Sequence, residues 1–388
     1  FRSFIFLLFA TLAFRFWLAQ ATPISGDEAY FIYWGHIPDW GYYDHPPMIG
    51  WWLALLLQFS AAEWVLRLPS ILLPAVLASG TAWYLRTTGS RHAWLGAALI
   101  LLAPANVWNV LITTDTPLVF FSFLSALAFL RAARDDSPAF YALAGLMLGG
   151  AFLSKYFAVL LGVAYFLHVI IRPNRRKLGG FALLLLAALP AVALNLWWNW
   201  NHCWANLMFN LYNRHGDAGL SWKTPLLYAV MLLYLLTPPV LVVLARSREA
   251  LRPMWRGGET RALMLIGLAP LTLFALLSLV RTVGLHWVLA FLPFVFILLL
   301  RAAPDAAMRS VRRFMFAFAA LHVIGISIVA NLPLETWRDN RFTARLYDGI
   351  VLTVDSQSLL EKLEPYARRY LFASDGYSAT TMRQIAAE

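Results

Sequence analysis

The chain has 388 residues, of which 61% are hydrophobic and only 13% are charged, and it carries a formal net charge of +11. An apolar fraction this high excludes an ordinary soluble domain of this length and predicts a membrane protein. A single cysteine, Cys203, excludes an intramolecular disulfide and has no partners at zinc-ligand spacing.

Apolar runs of about 17 to 25 residues, the length that crosses a bilayer, recur along the chain. They cover residues 4–21, 64–85, 92–111, 116–133, 139–154, 156–171, 178–197, 224–245, 261–280, 285–301 and 314–331. The apolar stretch from Met48 to Phe59 is too short to span and predicts a re-entrant or interfacial helix. The sequence therefore predicts an all-α polytopic membrane protein with about eleven transmembrane helices.

The distribution of Lys and Arg predicts the orientation of these spans. If the amino terminus is cytoplasmic, eighteen of these residues fall on the cytoplasmic side and at most five on the opposite side, the carboxy-terminal tail excluded. Short cytoplasmic loops are enriched in positive charge, so we expect this orientation. The net charge then reflects topology and attraction to anionic headgroups, and no nucleic-acid partner is expected.

The chain divides into two predicted regions. Residues 1–331 form the transmembrane domain, with residues 22–63 as an amphipathic first extracytoplasmic loop. Residues 332–388 are more polar and predict a small extracytoplasmic α/β appendage that is cut short, with a helix, a strand around Tyr370 to Ala373, and a second helix. No internal repeat is evident, which disfavours a transporter built from inverted repeats.

The first loop contains the stretch GDEAYFIYWGHIPDWGYYDHPPMIGWW, which begins at Gly26. Ser25 and Glu28 have the spacing of a capping box, and Asp27 favours the positive end of the same helix. This structural interpretation coexists with a functional one. A carboxylate fixed at the start of a membrane-surface helix can take a proton from an attacking hydroxyl or amine, which is the work of a general base.

Two consecutive prolines follow Asp44 and His45 and hold them in a rigid turn after Tyr43. The alternative is that His45 is simply a solvated loop residue. The aromatic residues around this turn fit a nearby sugar or lipid, but interfacial belts are enriched in Trp and Tyr as well.

Other unusual polar residues fall at the same predicted membrane boundary. Asp115 lies in the turn ITTDTP, Lys155 and Tyr156 lie between the fifth and sixth spans, and Arg281 and His286 lie in the loop RTVGLHW. A lysine between two apolar spans is costly and marks a pathway or a counter-ion, unless it snorkels to the interface. Together the acids and bases predict a site for a substrate with an anionic headgroup and a lipid tail.

Five motifs occur in an order that resembles a known family: GDEAYFIYW, YYDHPPMIGWW, TTDTPL, FLSKYFAVLL and LHWVLAFLPF. They are similar to the bacterial branch of the protein O-mannosyltransferase and aminoarabinose-transferase superfamily of C-type glycosyltransferases. The resemblance extends over about residues 1–330. It implies an inner-membrane enzyme that transfers a sugar from a polyprenyl phosphate to a lipid, glycan or protein acceptor outside the cytoplasm, with inversion.

The resemblance also implies roles for the candidate residues. Asp27 looks like the catalytic carboxylate, and Glu28 would orient it or bind the acceptor. The leaving group is a lipid phosphate, so cations are needed where its charge develops. The candidates for binding the donor phosphate or sugar are Asp44, His45, Tyr43, Lys155, Tyr156, Arg281 and His286, with Asp115 as an acceptor-binding or structural residue.

The sequence departs from the family at His45, where the aminoarabinose transferases have a lysine, so that sugar is not assigned. Basic side chains can neutralise a phosphate, so we expect no metal or other cofactor, although Asp115 keeps a metal possible. The alternative functions are a polytopic transporter or lipid-sugar flippase and a non-catalytic scaffold. Charges clustered at one leaflet, instead of spread through the spans, disfavour a transport route.

Overall fold

The computed structural model describes residues 2–212 and 219–339, together with residues 341, 343, 344, 356–367, 369 and 370. The first ten helices are α1 (Arg2–Ala21), α2 (Gly26–His36), α3 (Met48–Leu57), α4 (Glu63–Leu66), α5 (Leu68–Thr87), α6 (Ala93–Leu102), α7 (Pro104–Trp108), α8 (Asp115–Asp135), α9 (Pro138–Phe152) and α10 (Ala158–Ile171). The next ten are α11 (Arg175–Asn201), α12 (Ala205–Leu211), α13 (Lys223–Leu236), α14 (Pro238–Arg246), α15 (Arg248–Met254), α16 (Gly258–Ser278), α17 (Leu292–Ala302), α18 (Asp305–Asn331), α19 (Leu334–Arg338) and α20 (Ser356–Ala367).

The predicted fold class, an all-α polytopic membrane protein, is confirmed. Six helices are long and apolar enough to cross a membrane: α1, the continuous pair α4 and α5, α8, α11, α16 and α18. The pair α13 and α14 makes a seventh if it counts as one span, and α3, α6, α9, α10 and α17 are shorter apolar helices. The count of eleven spans is therefore not confirmed.

Several predicted spans are broken by proline, which has no backbone N–H and clashes with the preceding turn. The run 92–111 divides into α6 and α7 at Pro104, and the run 224–245 bends by 93° between α13 and α14. At that bend Thr237 is fully buried with φ +70°, ahead of two prolines. The run 285–301 becomes a 3₁₀ turn, Leu285–Val288, followed by α17. Hydropathy alone detected the apolar runs but not these interruptions.

The core of the bundle is built around α8 and α17. Ten of the eleven residues of α17 are buried, and α8 packs against α9, which in turn packs against α11. A helix that is apolar on all faces belongs inside a bundle, whereas α18 buries only a stripe at Met308, Val311, Met315 and Ala319. The rest of α18 faces outward, as expected for a helix at the lipid boundary.

The first loop folds onto this bundle as a helical layer. Helices α2 and α3 pack together around a separate cluster that includes Ile32, Trp34, Ile49 and Leu53. The helix predicted within Met48 to Phe59 is present as α3, and its re-entrant or interfacial placement stays a prediction. In the carboxy-terminal appendage the predicted first helix is present as α20. Most of the predicted strand at Tyr370 to Ala373, and the second helix, lie outside the described residues.

Candidate active site

A cavity of about 510 Å³ opens where several apolar helices begin or end. The cavity lies past the carboxy-terminal end of α1 and beside the first residues of α2 and α8 and the link from α9 to α10. This placement corresponds to one membrane boundary. Its lining residues are Asp27, Tyr30, Phe31, Asp44, His45, Trp108, Asn109, Leu111, Thr113, Thr114, Asp115, Lys155, Phe209, Leu285, His286 and Leu289.

Asp27 lies in the first turn of α2 and is exposed to the cavity. Ser25 caps this helix: its hydroxyl accepts from the Glu28 amide at 3.3 Å, and the Glu28 carboxylate accepts from the Ser25 amide at 3.0 Å. The predicted capping box is therefore present. Within the described residues the Asp27 carboxylate has neither a hydrogen bond nor an ion pair, so it is available to a ligand.

The neighbouring carboxylate of Glu28 is in a different situation, because it is fully buried and holds Arg67 in a two-pronged ion pair. Arg67 Nε donates to Oε1 and Nη2 donates to Oε2, both at 2.8 Å. The backbone N–H of Ile112 also donates to Oε1 at 3.0 Å. With the Ser25 amide, each oxygen accepts two hydrogen bonds, which leaves little capacity for a substrate.

Arg67 uses its remaining N–H groups to fasten the end of α1. Nη1 donates to the carbonyls of Ala19 and Thr22 at 2.6 and 2.7 Å, and Nη2 donates to the carbonyl of Pro23 at 2.9 Å. One side chain therefore joins α1, the start of α2 and the start of α5. The interpretation of Glu28 as a residue that binds the acceptor directly is not supported by this geometry. Glu28 fixes the helix that presents Asp27.

The turn before the double proline presents Asp44 and His45 to the cavity. Asp44 Oδ2 lies 3.1 Å from His45 Nδ1, and both side chains are largely buried. The hydroxyl of Tyr30 donates to Asp44 Oδ1 at 3.4 Å. The turn closes on itself, because the amide of Tyr42 donates to the carbonyl of His45 at 3.0 Å. These contacts hold the turn that carries Asp44 and His45, as expected from the prolines.

Helix α12 clamps the same turn from outside. Asn206 donates to the carbonyl of Tyr42 at 2.7 Å, and Asn210 donates to the carbonyl of Asp44 at 3.0 Å. Tyr42 is also stacked on Trp34 with a ring separation of 4.1 Å. No local sequence pattern predicts these two hydrogen bonds, because each joins an asparagine amide to a carbonyl more than 160 residues away.

Lys155 and Asp115 face each other in the cavity wall. Lys155 Nζ lies 2.9 Å from both Oδ1 and Oδ2 of Asp115, and both side chains are nearly buried. His286 Nε2 lies 4.0 Å from Asp115 Oδ2. Burial of a charge is costly unless it is paired, so Asp115 stabilises the ammonium group at this position. Lys155 stays inside the bundle and does not snorkel away from it.

Six of the predicted site residues share this cavity, and four do not. Glu28, Tyr43, Tyr156 and Arg281 are not among the described residues that line it. Half-exposed Tyr43 packs against Phe209, with 5.0 Å between ring centroids, and Tyr156 donates its hydroxyl to Asn195 at 3.0 Å. The predicted donor-binding roles of Tyr43, Tyr156 and Arg281 therefore lack support from the cavity geometry.

Comparison with known proteins first defines a class. Residues 44–198 match the family described as dolichyl-phosphate-mannose-protein mannosyltransferase. The fold resembles that of ArnT from Cupriavidus metallidurans bound to undecaprenyl phosphate, with a TM-score of 0.62 and 16% identity over 99% of this chain and 75% of that one. The archaeal oligosaccharyltransferase AglB from Archaeoglobus fulgidus matches with a TM-score of 0.52 and 14% identity, over 90% and 59% of the two chains.

A curated relative is similar in sequence. The lipid A galacturonosyltransferase RgtD of Rhizobium johnstonii is 29% identical over 207 residues, which is 50% of this chain and 43% of that protein. The chain thus spans less than half the length of this relative. These matches confirm the resemblance to C-type glycosyltransferases, and this chain is a multi-pass membrane protein with their fold.

Proposed function

We propose that the chain is an inverting glycosyltransferase that moves a sugar from a polyprenyl-phosphate donor to an acceptor of the cell envelope. The observation that carries this proposal is the cavity at the membrane boundary, where the unpaired Asp27 carboxylate shares walls with Lys155, His45 and His286. A base and a set of cations in one lipid-level cavity are the two elements that displacement of a lipid phosphate requires.

In the proposed reaction the acceptor hydroxyl or amine attacks the anomeric carbon of the sugar. Asp27 takes the proton that the nucleophile loses as the new bond forms. The bond between the anomeric carbon and the phosphate oxygen breaks on the opposite side, and its electron pair stays on the phosphate. The products are an inverted glycoside, a protonated Asp27 and polyprenyl phosphate, and Asp27 later releases its proton to water.

The leaving phosphate gains negative charge during this step, so cations must stand where that charge develops. Lys155 is the first candidate, because its ion pair with Asp115 holds it in the cavity wall. His45 and His286 are the second candidates, since an imidazole beside a carboxylate can donate a proton-bearing nitrogen to a phosphate oxygen. We propose that these side chains suffice without a metal ion.

The transferred sugar and the acceptor can each be identified by testing a small number of candidates. The curated relative is named for galacturonate transfer to lipid A, so a uronic acid donor and a lipid A acceptor are the first pair to test. A carboxylated sugar is compatible with this cavity wall, because the wall carries His45 and His286 in addition to Lys155, the first candidate for binding the phosphate. Polysaccharide, other glycolipid and protein acceptors follow as the next candidates.

Mass spectrometry of cell-envelope glycolipids and glycoproteins, with and without this protein, tests the proposal because it reports sugar and acceptor together. We expect one modified species to disappear with the protein and to return when the purified protein is supplied with the matching polyprenyl-phosphate sugar. An unchanged envelope, combined with movement of the lipid-linked sugar across proteoliposomes, would support a flippase and overturn the transferase.

We propose that this chemistry takes place at the periplasmic face of the bacterial inner membrane, with the amino terminus in the cytoplasm. The excess of Arg and Lys in the loops of the other face supports this orientation. The test is a Cys203→Ser background with one cysteine at exposed Ala61, which lies in the first loop. A membrane-impermeant maleimide should label intact spheroplasts, and labelling only after lysis would reverse the orientation.

A further inference from the structure

A second large cavity lies at the other end of the bundle and takes no part in the proposed reaction. This groove has a volume of about 830 Å³ and runs between α1, α6 and α18. We call it the α1–α18 groove. The lining residues that matter for its chemistry are Arg2, Phe6, Leu95, Ala98, Arg312 and Arg313.

The groove is at the opposite membrane boundary from the candidate active site. Helix α1 has 20 residues, so its ends are about 30 Å apart. Arg2 at one end lines the groove, while the carbonyls of Ala19 and Thr22 at the other end accept hydrogen bonds from Arg67, whose partner Glu28 follows Asp27 in the sequence. The distance matches the thickness of a hydrocarbon core, so the two cavities face different leaflets.

The groove combines charge at its mouth with an apolar floor. Arg2, Arg312 and Arg313 are exposed, and none of the three forms an ion pair with a carboxylate in the part of the chain that the structure describes. By contrast, Arg91 on the same side is paired with Asp305 at 2.5 Å. Below the arginines the walls are aromatic and aliphatic, and Phe4 packs against Trp94 with 5.3 Å between ring centroids.

The charge and the apolar surface of the groove indicate which kind of ligand it can bind. Three unpaired guanidinium groups favour a phosphate, which they bind through several parallel N–H donors. The apolar floor beneath them favours hydrocarbon chains that continue into the bilayer. A soluble phosphate would leave the floor empty, and a zwitterionic lipid would bring its own cation to the arginines.

We propose that the α1–α18 groove is a binding site for an anionic glycerophospholipid of the leaflet opposite the active site. The lipid phosphate lies against Arg2, Arg312 and Arg313, and the upper acyl chains lie along Phe6, Leu95 and Ala98. Basic pockets between helices at this boundary recognise anionic headgroups by the same physical principle. This proposal does not depend on the proposed transfer reaction.

Native mass spectrometry of the purified full chain tests the site, with phosphatidylglycerol compared with phosphatidylethanolamine as probes. We expect the unaltered protein to retain one phosphatidylglycerol preferentially. Arg312→Gln/Arg313→Gln should lower that occupancy at least about tenfold, the loss expected from two charges at a membrane surface. The matched control is Arg248→Gln/Arg252→Gln, which removes two exposed charges from α15 outside the groove and should leave binding unchanged.

A second variant tests the apolar floor separately. Ala98→Phe fills the groove from α6 and keeps all three arginines, and Ala98 is only half-buried, so the larger ring can be accommodated. We expect it to lower phosphatidylglycerol occupancy as well. Equal losses in the α15 control would reduce the effect to surface charge and overturn the site. Full retention in Ala98→Phe, or equal binding of the two lipids by the unaltered protein, would also overturn it.

Discussion

The adjacent carboxylates of Asp27 and Glu28, at the start of α2, lie in opposite environments. Glu28 is fully buried, and its two oxygens accept hydrogen bonds from Arg67 and from the amides of Ser25 and Ile112. Asp27, one residue earlier, faces the cavity with no partner in the described chain. Side chains of consecutive helical residues point about 100° apart, so one turn can commit one acid to the scaffold and the other to the substrate.

The comparison extends to the cations around them. Arg67 donates to three carbonyls and a carboxylate inside the fold, whereas Lys155 lies in the cavity wall, where its Nζ is 2.9 Å from both oxygens of Asp115. A cation whose N–H groups all bond inside the fold stabilises that fold, whereas a cation in a cavity wall lies where an anionic ligand can reach it. Substitution in the Glu28–Arg67 pair should therefore lower stability first, whereas substitution of Asp27 should lower activity without loss of stability.

The largest expected effect is on catalysis alone. Asp27→Asn keeps the size of the side chain but removes the base, so we expect transfer to fall by about 10² to 10⁴-fold, with thermal stability near that of the unaltered protein. A transfer assay with a radiolabelled sugar and a melting curve in detergent measure the two effects. Asp39→Asn, in the same loop but not in the cavity wall, is the control. Full activity of Asp27→Asn would remove this residue from the mechanism.

Substitution of the buried Glu28 is expected to lower stability. Glu28→Gln leaves the Arg67 charge unpaired in the interior, which costs about 3–5 kcal/mol of stability. The melting temperature should fall, and activity should fall with it because α2 loses its anchor. Exposed Glu63→Gln makes the same chemical change without burial and should have little effect. A stable but inactive Glu28→Gln would show that Glu28 acts on the substrate after all.

Lys155→Gln should weaken donor binding and, because it leaves the buried Asp115 carboxylate without its Lys155 partner, should also lower the melting temperature. Loss of one cation from the phosphate site should raise KM for the lipid-linked sugar by about 10 to 100-fold, an effect of a single charge-assisted hydrogen bond. Exposed Lys223→Gln, at the same boundary, provides the control. Steady-state kinetics with varied donor concentration measure the change. An unchanged KM would indicate that His45 and His286, and not Lys155, bind the donor phosphate.

The clamp on the Asp44 turn predicts a smaller effect. Asn210→Ala removes one hydrogen bond to the carbonyl of Asp44, which contributes about 0.5–1.5 kcal/mol. We expect a moderate loss of kcat, because Asp44 and His45 lose part of their alignment, and little change in melting temperature. Asn201→Ala, which removes an exposed bond to the carbonyl of Trp197, should leave kcat unchanged. Equal losses of kcat in Asn210→Ala and Asn201→Ala would show that the Asn210 hydrogen bond does not align the turn.

The smallest expected effect is that of chelation. If Lys155, His45 and His286 neutralise the leaving phosphate, EDTA should leave turnover intact. The measurement is the same transfer assay before and after chelation and dialysis. Inactivation that Mn²⁺ or Mg²⁺ reverses would assign the phosphate to a metal ion and would give Asp115 a different role.

Features that depend on residues close together in the chain could be predicted from the sequence. Composition and the length of apolar runs predicted the membrane class, and the spacing of Ser25 and Glu28 predicted the cap that starts α2. The double proline predicted the rigid turn at Asp44 and His45. Each of these features is a property of a short segment, because hydrophobicity, capping and proline geometry act within a few residues.

Contacts between distant polar residues could be identified only from the packing of the helices. Glu28 and Arg67 are 39 residues apart, Lys155 and Asp115 are 40 apart, and Asn210 and Asp44 are 166 apart. No local pattern encodes such pairs, because they depend on how helices pack. Packing separated Glu28 from the cavity that Asp27 enters, and the physical reason is that a buried charge must be fully paired whereas a reacting one must keep a free side.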